Sequence, residues 1–177
     1  MKAITLLPEF AMRILKCQKE YEIRSWKTPY RGDLLICASN RREPMLLCGK
    51  AVCVCKLLDI EPLQPKHLID GIMPDDGRQY YAWKLDAPYL IFPFKIKGKL
   101  HLFDVDDDLV KSRYLEDVNG YENVSDAELV HLFYNNIILP QTYRFDDLQP
   151  DVYPDFKLNK DFVNACLSTY GADIVNG

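Results

Sequence analysis

Four side chains near the N-terminus can do chemistry together. The segment Cys17-Gln-Lys-Glu-Tyr-Glu-Ile-Arg-Ser-Trp26 holds an amine (Lys19), a carboxylate (Glu22), a guanidinium (Arg24) and an indole (Trp26). In a strand starting near Tyr21, residues two apart share a face. Glu22, Arg24 and Trp26 then line up, Lys19 sits at the junction with the preceding helix, and Tyr21 and Ile23 are expected to face the core. Arg24 can fork onto a phosphate or a base edge. Trp26 offers a flat face for stacking a base. Glu22 can orient Arg24 or accept a proton. Lys19 beside Arg24 is a candidate for a depressed pKa, and so for a base or nucleophile. The plain alternative is an exposed strand face with an ion pair worth under about 1 kcal/mol.

Other residues carry weaker signals. Lys95, Lys97 and Lys99 form a stripe at period two, which suits a phosphate track and equally suits a protected edge strand. Arg41 and Arg42 sit in a polar loop, where they can reach a nucleic-acid backbone or simply be solvated. Ser39 is either a hydroxyl in a cleft or a strand terminator. Tyr81 and Trp83 share a strand face and are expected to pack in the core rather than stack on bases. No glycine-rich phosphate loop and no nucleophile elbow occurs. Asp104-Val-Asp-Asp-Asp108 lacks the glycine and glutamate of a calcium loop and reads as a solvated turn. The three histidines are scattered and no C-x-x-C pair occurs, so no metal site and no cofactor is expected.

The elements that must position these groups follow from the pattern. Pro8 opens a helix that runs to Lys19, with Phe10, Ala11, Ile14 and Leu15 as its apolar stripe. Strands are expected over residues 21–26, 33–39, 46–60, 80–85 and 91–103, with a short helix at 66–72. Ser125 and Glu128 form a capping box ahead of a helix at 126–135, and a further helix is expected at 160–170. A helix, several strands and then helices point to an α+β fold with a strongly bent sheet or small barrel.

The chain has 177 residues, 48% of them hydrophobic, which excludes a mainly disordered polymer. No apolar run approaches the roughly 18 residues of a membrane span. The first seven residues are cut off by Pro8 and Glu9 and do not read as an export signal, so a cytoplasmic protein is expected. Cys37, Cys53 and Cys55 lie inside apolar runs and read as buried, reduced thiols. Residues 1–99 carry 17 basic and 11 acidic side chains, a balance of +6, whereas residues 100–177 carry 5 and 15, a balance of −10. A basic first half suggests a polyanion-facing surface. The acidic half can instead meet a basic partner or mask the basic face.

The stretch around Lys19, Glu22 and Arg24 resembles the signature G-x-K-x-x-E-x-R of the ASCH (activating signal cointegrator homology) domain family, with Cys17 where the family has glycine. Ser25-Trp-Lys-Thr28, Tyr30-Arg-Gly32, Tyr81-Ala-Trp-Lys-Leu85 and the run 91–100 look like its later segments in a bacterial and phage branch. The resemblance covers residues 3–104 and implies a PUA-like small β-barrel with flanking helices; residues 105–177 are expected to form an acidic, mostly helical extension packed on it. It also implies a cleft that binds RNA or a nucleotide-like ligand, with Lys19, Glu22, Arg24, Trp26, Ser39, Arg41 and Lys97 as the residues expected to touch it. Some small bacterial members hydrolyse the acetyl amide of N4-acetylcytidine using Lys, Thr and Arg where this chain has Lys19, Glu22 and Arg24; other members are associated with ribonuclease activity. The resemblance therefore leaves a second possibility open, a hydrolase in which Lys19 and Glu22 are the catalytic groups.

Overall fold

One long strand organises the sheet. In a computed structural model that describes residues 1–43, 46–115 and 125–138 together with Asp161, Asn164 and Ala165, strand β4 (Lys50–Pro62) pairs with three neighbours. Seven strands form one mixed sheet: β1 (Lys2–Leu6), β2 (Tyr21–Arg24), β3 (Gly32–Ala38), β4, β5 (Tyr81–Leu85), β6 (Tyr89–Lys95) and β7 (Phe103–Asp104). The order is β2-β5-β4-β3-β1-β7, with β6 on β4 beside that path. β1 and β3 are parallel and the other pairs antiparallel. The N-terminal part of β4 pairs β3 and β6, and its C-terminal part pairs β5, with irregularities at 36/37, 51/53 and 57/59. Such bulges bend a strand and increase its twist. The sheet therefore curls into a half-barrel, the α+β architecture with a strongly bent sheet expected from the sequence.

The apolar runs explain this arrangement. Residues 51–55 of β4 and 34–38 of β3 are buried throughout, as in strands covered on both faces. Cys37, Cys53 and Cys55 are among them, and burial pushes the Cys37 thiol up to about 12 and the Cys53 thiol well above its usual range. Trp83 is wholly buried and donates its indole N–H to the Trp26 carbonyl at 3.2 Å. Among the described residues no helix is long and apolar enough to cross a membrane.

Several boundaries differ from expectation. Residues 2–6 form a strand that the short apolar run did not announce. The strand expected over 91–103 breaks after Lys95 and resumes only at Phe103. The helix expected at 66–72 is a single 3₁₀ turn, Pro65–His67. Asp106, from the acidic run, caps helix α2 (Asp107–Lys111) by accepting from the N–H groups of Asp108 and Leu109. The Ser125–Glu128 capping box does open helix α3 (Asp126–Phe133), which passes into a π-helical turn, Tyr134–Ile138. The helix expected at 160–170 lies largely outside the described residues.

Helix α1 (Pro8–Leu15) ends four residues earlier than its expected limit at Lys19. It buries Ala11, Met12, Ile14 and Leu15 and leaves Phe10 on the surface. Cys17 stops it by adopting φ 56°, in the left-handed region. The Cys17 N–H donates to Ile14 O at 2.9 Å and the Gln18 N–H to Arg13 O at 2.8 Å, the paired bonds of a Schellman end. A side chain in that conformation costs roughly 1–2 kcal/mol that glycine avoids, partly offset by glycine's greater unfolded-state freedom. Cys17→Gly should therefore be neutral to stabilising by about 1 kcal/mol in urea unfolding, and Cys17→Val destabilising. A loss of stability in the glycine variant would show that the cysteine side chain has a role the turn does not explain.

Candidate nucleic-acid interface

Register fixes where the signature residues point. β2 pairs with β5 so that Glu22 lies opposite Trp83 and Arg24 opposite Tyr81. Residues directly opposite share a face, so Glu22 turns to the same inner side as the buried Trp83. The expected alternation holds, but its sense is reversed. Glu22 is the buried residue of β2, and Tyr21 and Ile23 are only half-buried. A carboxylate is tolerated there because two cations flank it.

Lys19 Nζ lies 3.0 Å from Glu22 Oε2, and Arg24 Nε lies 3.1 Å from Glu22 Oε1. The side chains are 9%, 6% and 21% exposed for Lys19, Glu22 and Arg24. These are ion-pair distances without directed hydrogen bonds, since Glu22 Oε2 and Arg24 Nε make none within the protein. Lys19 Nζ donates instead to the Tyr21 carbonyl, and Arg24 donates to the Thr5 carbonyl at 2.8 Å. The cluster thus carries one surplus positive charge and keeps hydrogen-bonding capacity for a ligand.

Two adjoining cavities meet at this cluster. The larger, about 1090 Å³, is lined by Glu22, Arg24, Ser39, Lys50, Lys95, Lys97 and Lys99, with Phe10 and Leu100 among its apolar residues. The smaller, about 800 Å³, takes in Lys19 and Glu22 together with Arg13, Lys66 and His67. Phe10, Glu22 and Ile23 belong to both linings and divide them. Among the described residues no group of three or more His, Cys, Asp or Glu side chains could hold a metal ion.

The larger cavity is walled by a loop that glycine makes possible. Residues 96–102 cross back over β1, and the Lys99 N–H donates to Thr5 Oγ1 at 3.2 Å. A Cβ at Gly98 would sit 2.6 Å from Thr5 Oγ1 and 2.8 Å from its Cγ2, and a β-branched side chain has little freedom to give way. The close approach carries the lysine stripe off the end of β6 and around the cavity, which is why Lys97 and Lys99 join Lys95 there without a strand.

Of the residues singled out in the sequence, Glu22, Arg24, Ser39 and Lys97 line the larger cavity and Lys19 the smaller. The Ser39 hydroxyl is buried and makes no hydrogen bond within the protein. Trp26 and Arg41 line neither. β2 ends at Arg24, and Trp26 turns edge-on against Trp83 with ring centroids 4.7 Å apart and packs against His101 at 5.1 Å. Its ring is engaged by protein aromatics. Arg41 is exposed and pairs with Glu43 at 3.1 Å. Lys50 was not singled out, although a lysine between Gly49 and the apolar run 51–55 is the sequence signal that could have found it. Burial, and then the neighbouring Lys95, lower the pKa of its amine.

Comparison with known proteins bears on the same residues. A sequence model described as ASCH domain matches residues 4–134. A crystal structure of ASCH from Zymomonas mobilis is similar at 17% identity over 60% of this chain and 88% of that one, with a TM-score of 0.47. A tyrosine-to-phenylalanine variant of that protein gives 18% identity, 60% and 91% coverage and 0.46. No curated protein matches. Because the family match spans most of the chain and takes in the Lys19–Glu22–Arg24 cluster, both cavities and the loop that walls the larger one, this chain belongs to the ASCH domain family.

Proposed function

We propose that the larger cavity binds single-stranded RNA or a similar nucleotide polyanion, with Arg24, Lys97 and Lys99 taking phosphate and the Ser39 hydroxyl meeting polar groups of sugar or base. One observation carries this reading. Among the described residues, four lysines and an arginine line one cavity whose single carboxylate, Glu22, is already at ion-pair distance from two cations. A surplus of cations in a concave site concentrates anions, and the exposed Phe10 on its rim gives a base a ring to stack on.

Fluorescence anisotropy of a labelled single-stranded RNA at several salt concentrations tests it with the full chain. Each phosphate contact contributes a slope of about 0.7 in log K against log salt for a single strand. Lys97→Gln and Lys99→Gln should each weaken binding and flatten the slope by about that amount. A wild-type slope near zero rejects the polyanion reading.

A hydrolytic reading is favoured by a different observation, the 3.0 Å separation of Lys19 Nζ and the hydrogen-bond-deficient Glu22 Oε2, which sets an amine beside a candidate proton acceptor. Loss of a positioned acid or base costs about 10²–10⁴ in rate. Turnover of N4-acetylcytidine or RNA that falls by that much in Glu22→Gln would place hydrolysis ahead of binding alone.

A further inference from the structure

We propose that the outer edge of β2 is a subsite for one unpaired nucleobase, whose Watson–Crick edge is read by the backbone N–H and C=O of Ile23. The inference deepens the RNA reading above and rests on it for the phosphates. β2 ends the sheet path, and β5 is its ladder partner among the described residues. The Leu85 N–H donates to the Glu20 C=O at 2.9 Å, so residues 20 and 85 are a bonded pair. Bonded pairs recur at every second residue of an antiparallel ladder. The next are Glu22 with Trp83 and Arg24 with Tyr81, so Tyr21 and Ile23 turn their N–H and C=O groups away from β5.

Little of that edge is open. The Tyr21 C=O accepts from Lys19 Nζ, and β2 stops at Arg24. The Ile23 N–H and C=O have no other partner among the described residues. An unpaired edge is a template for an added peptide strand. A peptide, however, needs outward groups on several alternate residues, and here Ile23 supplies one complete pair. A donor and an acceptor on a single residue suit a smaller object, a flat ring with an acceptor beside a donor. The Watson–Crick edges of nucleobases have that form, adenine through N1 and its N6 amino group, and single-stranded RNA presents them unpaired.

Two neighbours favour a base as the occupant. Lys19 Nζ, bonded to the Tyr21 C=O, lies 5.7 Å from the Phe10 ring centroid. The Phe10 ring therefore stands beside the same edge, and Phe10 and Ile23 both line the two cavities where they meet. Phe10 is 37% exposed, which leaves ring surface for stacking. The larger cavity continues from there with Arg24, Lys97 and Lys99, cations for the flanking phosphates. Stacking and a single donor–acceptor pair tolerate several bases. They exclude a base already paired, because pairing occupies the same edge.

The full-length chain is titrated by anisotropy with two labelled single-stranded octamers, one of adenosine and one of N6,N6-dimethyladenosine. Both carry the same phosphates, and the second has no amino donor. It should bind about tenfold more weakly, within the range of a good bidentate base contact, with the same salt slope. Ile23→Pro removes the outward N–H, and proline is tolerated where its nitrogen faces away from the ladder. This variant should bind the adenosine octamer about tenfold more weakly and lose most of the discrimination between the two, a coupling that a purely structural defect would not give. In spectra of the ¹⁵N-isoleucine-labelled wild-type protein, the Ile23 amide proton should move downfield with the adenosine octamer and not with its analogue. That readout stands if Ile23→Pro misfolds. Equal affinity for the two octamers with a normal salt slope overturns the base subsite and leaves RNA binding intact, as does an unmoved Ile23 amide. A flat slope with the discrimination retained rejects the phosphate contacts and leaves the subsite standing.

Discussion

A chain cut after Leu115 should lose its cooperative unfolding transition. The cut removes Phe133, Ile137 and Ile138, all buried in the main core, where the Phe133 ring lies 6.2 Å from Phe92. Burying one such side chain is worth about 1.5–3 kcal/mol, so three contribute roughly 5–9 kcal/mol. Domains of this size hold only about 5–15 kcal/mol in total. Phe92 would also be uncovered on β6, a strand whose neighbour on that side is the 113–115 segment, held by Phe92 N–H to Arg113 O at 2.8 Å and Leu115 N–H to Leu90 O at 2.9 Å. In the full chain Phe133→Ala alone should cost about 3–5 kcal/mol, or roughly 6–20 °C in melting temperature. Thermal melts followed by circular dichroism decide the matter. A fragment of residues 1–115 that melts cooperatively near the intact protein's temperature would show that α3 is an appendage and not part of the core.

That expectation bears on how the chain divides. The family resemblance sets a domain over residues 3–104 with an acidic, mostly helical extension packed on it, and the change of charge falls close to that boundary. Charge reports the surface, and it is silent about which apolar side chains cross from one segment to another. Phe133, Ile137 and Ile138 are separated from their partners on the sheet by long stretches of chain, and no local pattern announces such contacts. Binding experiments are therefore best made with the whole chain.

The local signals were read with more success. Alternation in 21–24, the apolar run at 34–38 and the capping box at Ser125 each reflect forces that act within a few residues, and each produced its element. β1 escaped notice because five residues before a proline carry little periodicity. Lys2–Leu6 becomes a strand through parallel pairing with β3, a partner about thirty residues away that a short window cannot see. The lysine stripe begins on β6 with Lys95 and runs on through Lys97 and Lys99 after the strand has ended, because its later part is shaped by Gly98 against Thr5 and not by a ladder. The Lys19, Glu22 and Arg24 cluster was legible as a set because the three are close in sequence. Its orientation was not. Alternation gives the period of a strand and leaves its sense open, and a lone carboxylate reads as solvent-facing until the cations on either side of it are placed. Trp26, two residues on, had the right spacing for the same face, but the strand stops before it and the alternation no longer applies.

Glu22 decides whether that cluster serves structure or ligand, and its variants separate the two. Glu22→Ala should be destabilising by about 3–5 kcal/mol, the typical penalty for breaking a buried ion pair, because Lys19 and Arg24 are then left as like charges in a largely shielded space. Part of that is recoverable. Arg24 is the more exposed cation, so Glu22→Ala combined with Arg24→Ala should unfold at higher denaturant than Glu22→Ala alone, and the departure from additivity measures their coupling. Glu22→Gln keeps the volume opposite Trp83 and one acceptor oxygen, so it should cost less than Glu22→Ala. Its effect on binding runs the other way. Removing the Glu22 carboxylate from the wall of the larger cavity leaves Arg24 to pair with phosphate, so the folded Glu22→Gln protein should hold RNA more tightly at low salt and show a steeper salt slope than wild type. Denaturant melts and anisotropy on the same preparations give both numbers. Should Glu22→Gln lose affinity while remaining folded, the carboxylate contacts the ligand directly, as Glu22 Oε2 with its unused hydrogen-bonding capacity permits, and the cluster recognises a base or sugar donor instead of merely offsetting two cations.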